Sequence, residues 1–555
     1  PGGYTAALRA AKLGLHTAIV ERREVGGTCL NRGCIPTKTL LHASQVYYDA
    51  VNGAGVGVHG SLSYDIGEMF AFKRSVSEKL RSGIHALLKG AKVDVIEGTA
   101  QIAAPGQVDA TGADGAVTRY TAERILAATG SGNGRPPIPG LELPGVMTSD
   151  ELLEGTDTPY QSIVIIGGGV IGVGFATFYS HLGCQVTLVE GMANLLPQLD
   201  RELGQNLAQI LKKQGVEVLT SAMVQRVEQG ENGLVVTVEQ KGKEKQVAGQ
   251  VVLCAIGRVP AWEGLFAPEL TPEQVGKRLK VDETYQTSIP TVYAIGDLSA
   301  EIPLAHVASA QAVACVNLLC GEDAQTDLNV VPSCIYSSPE IAVVGLTEAE
   351  AKEQGIAAVT GKCIMFRNAR TMIEDPGRCF MKLVADKESH EILGAQLMCQ
   401  HASDMISQIS EAMVNHLTAE QMLRTMRPHP SFEEAMLEAL EASTYCTPTA
   451  IGGFPQVSGI VYTIDGTKTY DAGDVYEGST YHAPKTIRRV TIQSVGGKAF
   501  NLRTVYTIAT NDFLAAGGDT YYAFKTASVN YDLGIPMDEV VMDYVKTELK
   551  GVVSA

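Results

Sequence analysis

Two cysteines, Cys29 and Cys34, stand five positions apart in the run Gly26-Gly27-Thr28-Cys29-Leu30-Asn31-Arg32-Gly33-Cys34-Ile35-Pro36-Thr37-Lys38. A turn or first helical turn between them would bring the two Cβ atoms within disulfide range. Gly33 eases that bend. Pro36 suits the first turn of a helix, where its missing N–H costs nothing. The apolar Leu40 and Leu41 continue the pattern, so Cys34 is expected at a helix N-terminus. The positive end of the helix dipole there stabilises a thiolate, the species that exchanges with disulfides. Read by spacing alone, the pair is also compatible with two incidental cysteines or with half of a zinc site. Zinc needs two further ligands at close spacing, and none stands nearby.

Three further groupings bear on chemistry. Gly167, Gly169 and Gly172 form a G-x-G-x-x-G turn after the apolar run Ser162 to Ile166. Its first glycine allows a tight turn, its second admits a pyrophosphate, and its third permits close helix–strand packing. Glu190 follows 18 residues after Gly172. A carboxylate there accepts from a ribose 2′-OH and repels a 2′-phosphate, which favours NAD over NADP. His429 precedes Glu434 by five positions across Pro430 and Ser431. A turn would let the carboxylate orient the imidazole as a proton acceptor. Between two prolines, the same histidine also reads as a plain loop residue.

These groups need scaffolds. Two segments read as opening βαβ units. One runs from Pro1-Gly2-Gly3 through a helix to a strand ending in Glu21. The other runs from Ser162 through the glycine turn to a strand ending in Glu190. The echo predicts two doubly wound dinucleotide domains. Residues 106–122 alternate in polarity and predict hairpin strands. Residues 331–442 mix short strands and helices without a nucleotide fingerprint. After Ala442 the chain becomes rich in Gly, Thr and Tyr, with strand-like runs at Ile460 to Ile464, Arg489 to Ile492 and Thr504 to Ile508. The 555 residues carry a formal charge of −17, which argues against nucleic acid as a partner. No apolar run reaches the length of a membrane span. Eleven cysteines, an odd number in a long chain, do not form a secreted disulfide framework and fit a reducing cytoplasm.

The cysteine run resembles, nearly residue for residue, the redox signature of the flavin disulfide reductases. The resemblance extends in order over residues 1–442. Thr291-Val292-Tyr293-Ala294-Ile295-Gly296-Asp297 matches the family's second flavin motif, with Asp297 on the ribityl chain. Pro303-Leu304-Ala305-His306 matches the segment beneath the flavin ring. Ala128-Thr129-Gly130-Ser131 and Ala255-Ile256-Gly257-Arg258 match the two linkers between domains. Arg427-Pro428-His429-Pro430 with Glu434 matches the catalytic base motif. The run from Val331-Pro332 through Tyr336, and Ser338-Pro339-Glu340 onward, matches the start of the interface domain.

The resemblance implies roles. Cys29 is the interchange thiol, Cys34 the charge-transfer thiol, and Lys38 the neighbour of the reactive flavin nitrogen. Gly2, Gly3, Glu21, Lys38, Thr129, Gly130, Ser131, Asp297, Ala305 and His306 hold FAD. Gly167, Gly169, Gly172, Glu190 and Gly257 hold NAD. His429 serves the partner subunit's disulfide, so the site requires a homodimer. The Cys-Leu-Asn-Arg-Gly-Cys-Ile-Pro variant and Glu190 favour the dihydrolipoamide dehydrogenase type, with a lipoyl domain of a 2-oxo acid dehydrogenase or glycine cleavage complex as partner. The implied domains are FAD-binding at 1–150 and 271–330, NAD-binding at 151–270 and dimerisation at 331–442.

The sequence departs from the family in two places. A Glu expected to pair with Lys38 is replaced by Gly174, which should weaken hydride transfer. The first strand and earlier glycines of the FAD fingerprint do not precede Pro1, so weak FAD retention is expected for this chain. Residues 443–555 instead resemble part of the C-terminal domain of 5′-nucleotidases, through Gly453-Phe454-Pro455 and Thr510-Asn511-Asp512-Phe513 to Asp519. There Phe513 stacks on a nucleobase or, equally, is a core aromatic, and Asp519 helps hold the nucleoside. No metal site is expected, so the tail is not expected to hydrolyse nucleotides. The leading expectation is an α/β NAD- and FAD-dependent dithiol oxidoreductase with a mostly β tail. The alternatives are a nucleotidase-related nucleoside-binding protein and a catalytically impaired reductase scaffold.

Overall fold

The computed structural model describes residues 1–444 except 156–157, 325 and 375–376, and beyond them 460–464, 472–475, 482–484, 490–495, 498–499 and 501. The chain divides into two bodies, Pro1–Leu440 and Glu441–Ala555. The division falls beside the Ala442 expected from the change in composition.

The glycine turn at 167–172 sits where the sequence places it, between the strand Ser162–Ile166 and the helix Val170–His181. Five parallel strands form this sheet. Their order is Glu217–Leu219, Gln185–Val189, Ser162–Ile166, Val251–Cys254 and Val146–Thr148. Strands buried on both faces need continuous apolar runs, and Ile163 to Ile166 is such a run, each residue 3% exposed or less. Crossing outward from the central strand in both directions is the doubly wound pattern, with its ligand crevice at the carboxyl ends of the strands.

The N-terminal region has the second parallel framework, in two strand pairs. Ala18–Glu21 pairs with Asp94–Glu97, and Val292–Ala294 pairs with Ile125–Ala127. The helix Gly2–Lys12 packs on the helix Ala305–Leu319 through Ala6, Ala10, Ala312, Cys315 and Val316. Small alanines on both helices let the backbones approach. The hairpin expected at 106–122 is part of a three-stranded meander, Thr99–Ala104, Gln107–Thr111 and Val117–Thr121.

Two crossings fall a few residues inside the expected domain ranges. Val146–Thr148 joins the second sheet, and Leu265 and Phe266 pack into the core of the first framework beside Ile102 and Val292. The linkers at 131–133 and 258–260 pair antiparallel, Val259 opposite Gly132.

Residues 331–440 form a five-stranded antiparallel sheet. Its order is Ser333–Ile335, Ile341–Gly345, Ile392–Met398, Phe380–Asp386 and Ala358–Ile364. The helix Ala402–Val414 covers one face through Ile406 and Ile409. Beyond residue 444, the strand Ile460–Ile464 pairs with Val490–Val495, and Ala472–Val475 pairs with His482–Pro484. Two of the expected tail runs thus fall on strands, and 504–508 lies outside the described residues. Among the described residues no helix is long and apolar enough to cross a membrane.

The helix Cys34–Val51 lies where three regions meet. Leu40 and Leu41 share one core with Val173 and Phe175 of the glycine-turn helix and with Ile335 and Ile341 of the C-terminal sheet. Each fully buried side chain of this kind contributes about 2 kcal/mol. An ion cluster ties two of the regions together. Lys382 Nζ lies 2.8 Å from Asp200 Oδ2 and 3.2 Å from Glu202 Oε2, and Lys362 also pairs with Glu202. Lys382 is 8% exposed, so its loss strands a desolvated carboxylate. Lys382→Met is expected to lower unfolding stability by about 3 kcal/mol, read from the midpoint of urea denaturation at constant slope. An unchanged midpoint would show that the cluster is solvated and energetically idle.

Candidate active site

Cys34 is the first residue of the helix Cys34–Val51, and Cys29 lies in the short helix Gly27–Arg32 before it. Gly33 joins them at φ −140°, which is not a left-handed conformation. Its need for glycine is spatial. A Cβ there would stand 3.1 Å from the Thr28 carbonyl oxygen and 3.3 Å from Cys29 Cα. The backbones of the two helices therefore meet, and the two thiols, both free, come into hydrogen-bond contact. Asn31 steadies this turn by donating to the carbonyls of Gly27 and Val25 at 3.0 and 3.1 Å. Arg32 adds ion pairs to Glu24 and Glu154.

The contact splits the two thiols electrically. The hydrogen bond from Cys29 carries Cys34 down to about 6, against burial and with help from the Lys38 cation. The same bond, followed by burial, drives Cys29 upward. Cys34 is therefore the thiolate at neutral pH and Cys29 the protonated partner. Lys38 lies one turn along the helix with Nζ 4.6 Å from the Tyr336 ring centroid. Burial lowers its pKa, and the charges that oppose this are those of Cys34, Cys29 and Cys334, not a carboxylate. Gly174 faces this helix: a Cβ there would stand 3.8 Å from Thr37 Cγ2, ordinary contact distance. A longer side chain can begin there unhindered, beside the helix that carries Lys38.

The glycine turn separates its three roles physically. A Cβ at Gly167, where φ is +110°, would stand 2.5 Å from the Ala255 carbonyl oxygen. One at Gly172 would stand 1.8 Å from the Gly167 carbonyl oxygen, whereas at Gly169 nothing lies within 4 Å. Close packing at two positions and open backbone at the third suit a pyrophosphate at the helix N-terminus. Glu190 ends the next strand with each oxygen fixed. Oε2 accepts from the Gly168 N–H and Oε1 from the Met192 N–H, both at 2.7 Å. A carboxylate has about four acceptor positions, which leaves two for a ribose diol.

The N-terminal framework repeats part of this arrangement. A Cβ at Gly2 would stand 3.0 Å from Ile295 Cδ1, and one at Gly3 would stand 3.6 Å from Ala128 Cβ, so Gly2 is the tighter of the two. Glu21 ends its strand and accepts from the Arg23 N–H at 2.9 Å. Asp297 accepts a hydrogen bond from the Ser131 hydroxyl, and Arg258 Nε donates to the same hydroxyl at 2.9 Å. Thr129 donates to the Ala261 carbonyl at 2.7 Å. Gly130, at φ +70°, has nothing within 4 Å of its Cβ position, and neither has Gly257 at φ +106°. Helix N-terminus, strand-end carboxylate and Asp297 together fit a second, flavin-type dinucleotide. Ala305 opens the helix Ala305–Leu319, and His306 binds the Pro332 carbonyl at 2.8 Å.

His429 Nδ1 lies 2.9 Å from Glu434 Oε1, and Glu434 Oε2 accepts from the Ser431 N–H at 2.9 Å. The Ser431 N–H and then His429 hold Glu434 below the usual carboxylate range. The turn across Pro430 and Ser431 leads into a helix that begins at Glu434. His429 is 72% exposed on its side chain, so its Nε2 faces outward. The dyad is assembled within the chain, on its surface.

The family described as pyridine nucleotide-disulphide oxidoreductase matches residues 1–312, and its dimerisation domain matches residues 331–440. The dihydrolipoyl dehydrogenase of Bacillus subtilis (strain 168) is 38% identical over 452 residues, which cover 80% of this chain and 94% of that protein. The chain belongs to the pyridine nucleotide-disulphide oxidoreductases. The Geobacillus stearothermophilus dihydrolipoyl dehydrogenase is similar at 36% identity, with 80% and 94% covered. Among solved structures, LpdA from Mycobacterium tuberculosis superposes with a TM-score of 0.73 at 26% identity, covering 80% of this chain and 97% of that one. The HOCl-induced flavoprotein disulfide reductase RclA from Escherichia coli gives 0.70 at 28% identity, covering 79% and 97%. The oxidoreductases of this family use FAD and NAD(H). The 5′-nucleotidase C-terminal domain matches residues 434–526. Phe513 and Asp519 lie outside the described residues.

Some contacts of this oxidoreductase's site carry no signal in the linear sequence. Tyr336 meets Lys38 across nearly the whole reductase region, and Arg258 reaches Ser131, Asn133 and Asp150 from another linker. Three outcomes test the geometry. The ultraviolet thiolate absorbance of the reduced protein should titrate near 6 and vanish in Cys34→Ser. Lys38→Met removes a favourable cation and should raise that midpoint by about one unit. A thiolate that persists in Cys34→Ser but is lost in Cys29→Ser would reverse the assignment. Gly172→Ala should weaken NAD⁺ binding roughly tenfold, because overpacking costs about 1–3 kcal/mol. Calorimetric titration checks this, and an unchanged Kd would remove the close-packing role.

Proposed function

We propose that this oxidoreductase is a dihydrolipoyl dehydrogenase, oxidising protein-bound dihydrolipoamide to lipoamide with NAD⁺ as the final acceptor. The observation that carries the reading is the split dithiol: Cys34 held as thiolate at a helix N-terminus, with Cys29 protonated beside it. The curated relatives bear the same activity in their names.

In the oxidised protein, Cys29 and Cys34 form a disulfide. His429, set by Glu434, takes the proton from one thiol of dihydrolipoamide. The resulting sulfur attacks Cys29 Sγ, the S–S bond breaks, and Cys34 leaves as a thiolate stabilised by Lys38 and the helix dipole. The second substrate thiol then attacks the mixed disulfide. Lipoamide leaves, and Cys29 takes up a proton. Bound FAD would supply a two-electron carrier between this dithiol and NAD⁺. Gly2, Gly3, Glu21, Thr129, Gly130, Ser131, Asp297, Ala305 and His306 would hold it. Gly167, Gly169, Gly172, Glu190 and Gly257 would hold the nicotinamide dinucleotide.

His429 points outward, so its target is the disulfide of a second copy, and the working unit is a homodimer. The dimerisation-domain match covers the region that carries it. Ile364, Phe366, Met372, Ile373 and Met426 in that region are all more than half exposed, an apolar face that a second copy covers. A lipoyl domain is the partner that delivers substrate, and the cytoplasm is the compartment in which such thiols stay reduced. In the tail, Phe513 and Asp519 are nucleoside contacts in this reading, with no catalytic part. Gly174 is the feature that supports impaired turnover as a second reading, since among the described residues no carboxylate offsets the burial of Lys38.

His429→Gln separates the proton acceptor from the rest of the site. Dihydrolipoamide oxidation should fall by about 10²- to 10⁴-fold. NADH-driven reduction of an artificial one-electron acceptor, which bypasses thiol exchange, should be retained. Loss of both activities would place His429 in folding or cofactor binding rather than in proton transfer.

A further inference from the structure

The proton-accepting dyad sits on an exposed loop, yet its geometry is closed by a residue from another element. Asn368 lies between the strand Ala358–Ile364 and the helix Ala369–Glu374. Its Nδ2 donates to the Ser431 carbonyl at 2.8 Å. Its Oδ1 accepts from the Thr371 N–H at 2.9 Å and from the Thr371 hydroxyl at 3.1 Å. The amide is thus pinned at both ends, and its donor can point only at Ser431. The Ser431 N–H donates in turn to Glu434, whose other oxygen meets His429. Thr371 and Asn368 thus hold Ser431 at its carbonyl, and Glu434 and His429 follow from its N–H.

Resting on the reading of His429 as proton acceptor, we infer that Asn368 is a positioning residue for the His429–Glu434 dyad. It holds the Ser431 carbonyl, and the N–H of the same residue, in the preceding peptide group, holds the carboxylate that orients the imidazole. The rest of the loop is anchored independently. Arg427 binds the Thr425 carbonyl at 3.1 Å and Met436 Sδ at 3.5 Å, and Glu433 accepts from Gln408. Arg427 and Glu433 stand on the same stretch, and His401, which precedes the helix Ala402–Val414, packs on Phe432. None of them contacts the Ser431 carbonyl among the described hydrogen bonds, so that tie is carried by Asn368.

The same short segment carries Phe366, Met372 and Ile373, all more than 60% exposed on the apolar face assigned to the second copy. Docking of that copy and orientation of the base thus share one stretch of chain.

The test uses the full chain with FAD and compares two variants. Asn368→Asp keeps the oxygen that caps Thr371 but cannot donate to Ser431. Asn368→Ala loses both contacts. Positioning predicts that both variants lower kcat for dihydrolipoamide about tenfold, with NADH-driven reduction of an artificial acceptor unchanged. Hydrogen exchange in the 428–436 peptide should also quicken about tenfold in both, since Ser431, no longer held at its carbonyl, leaves Glu434 more readily. A cap-only role predicts Asn368→Asp like wild type in both readouts, which would overturn the inference. Wild-type protein that exchanges normally but never oxidises dihydrolipoamide would instead sink the proposed activity. The exchange comparison would still decide whether Asn368 holds the loop.

Discussion

The backbones of Cys29 and Cys34 meet at Gly33, and the chemistry rests on that approach. Without a Cβ at position 33 the short helix and the long one join at contact distance. The two sulfurs then share one hydrogen bond, which makes one of them a thiolate and the other its proton donor. Two neighbouring features reinforce this division against burial. The helix dipole and Lys38 favour charge on Cys34. The three-way core around Leu40 and Leu41 keeps the helix from tilting, because it packs on the glycine-turn helix and on the C-terminal sheet together.

That shared core explains why one chain can hold two dinucleotide frameworks and a thiol site in fixed relation. The helix that begins at the cysteine pair touches the helix that begins at the NAD turn. Side-chain packing at about native density transmits position between them. The ion cluster of Lys382, Asp200, Glu202 and Lys362 holds the outer side of the same joint. Asp200 also caps the helix Arg201–Lys213, so the residue that starts an element of the NAD framework also binds the C-terminal sheet.

The parts legible in the sequence are those whose logic is local. Cys29 to Lys38, the glycine turn with Glu190, and His429 with Glu434 each lie within a short stretch, where spacing and turn chemistry determine geometry. The Gly33 reading was right about the bend and incomplete about its cause, since the constraint is contact with Thr28 and Cys29, not a special dihedral. The illegible parts are tertiary. Asn368 meets Ser431 from 63 positions away, and Lys382 meets Asp200 from 182 positions away. No pattern in either neighbourhood announces the other. Crossover points between domains were blurred for the same reason: Val146–Thr148 and Leu265–Phe266 choose their sheet by packing that only the folded chain defines.

Gly174 is the sharpest departure from the family pattern, and it lies beside the helix that carries the cysteine pair and Lys38. The most direct measurement is an anaerobic absorbance spectrum of the FAD-loaded protein, taken before and after dihydrolipoamide and again after NAD⁺. The account predicts a long-wavelength band on reduction, from the Cys34 thiolate against the flavin, and its disappearance when NAD⁺ is added. A flavin-loaded protein whose spectrum does not respond to dihydrolipoamide would contradict the claim that this dithiol is the entry point for electrons.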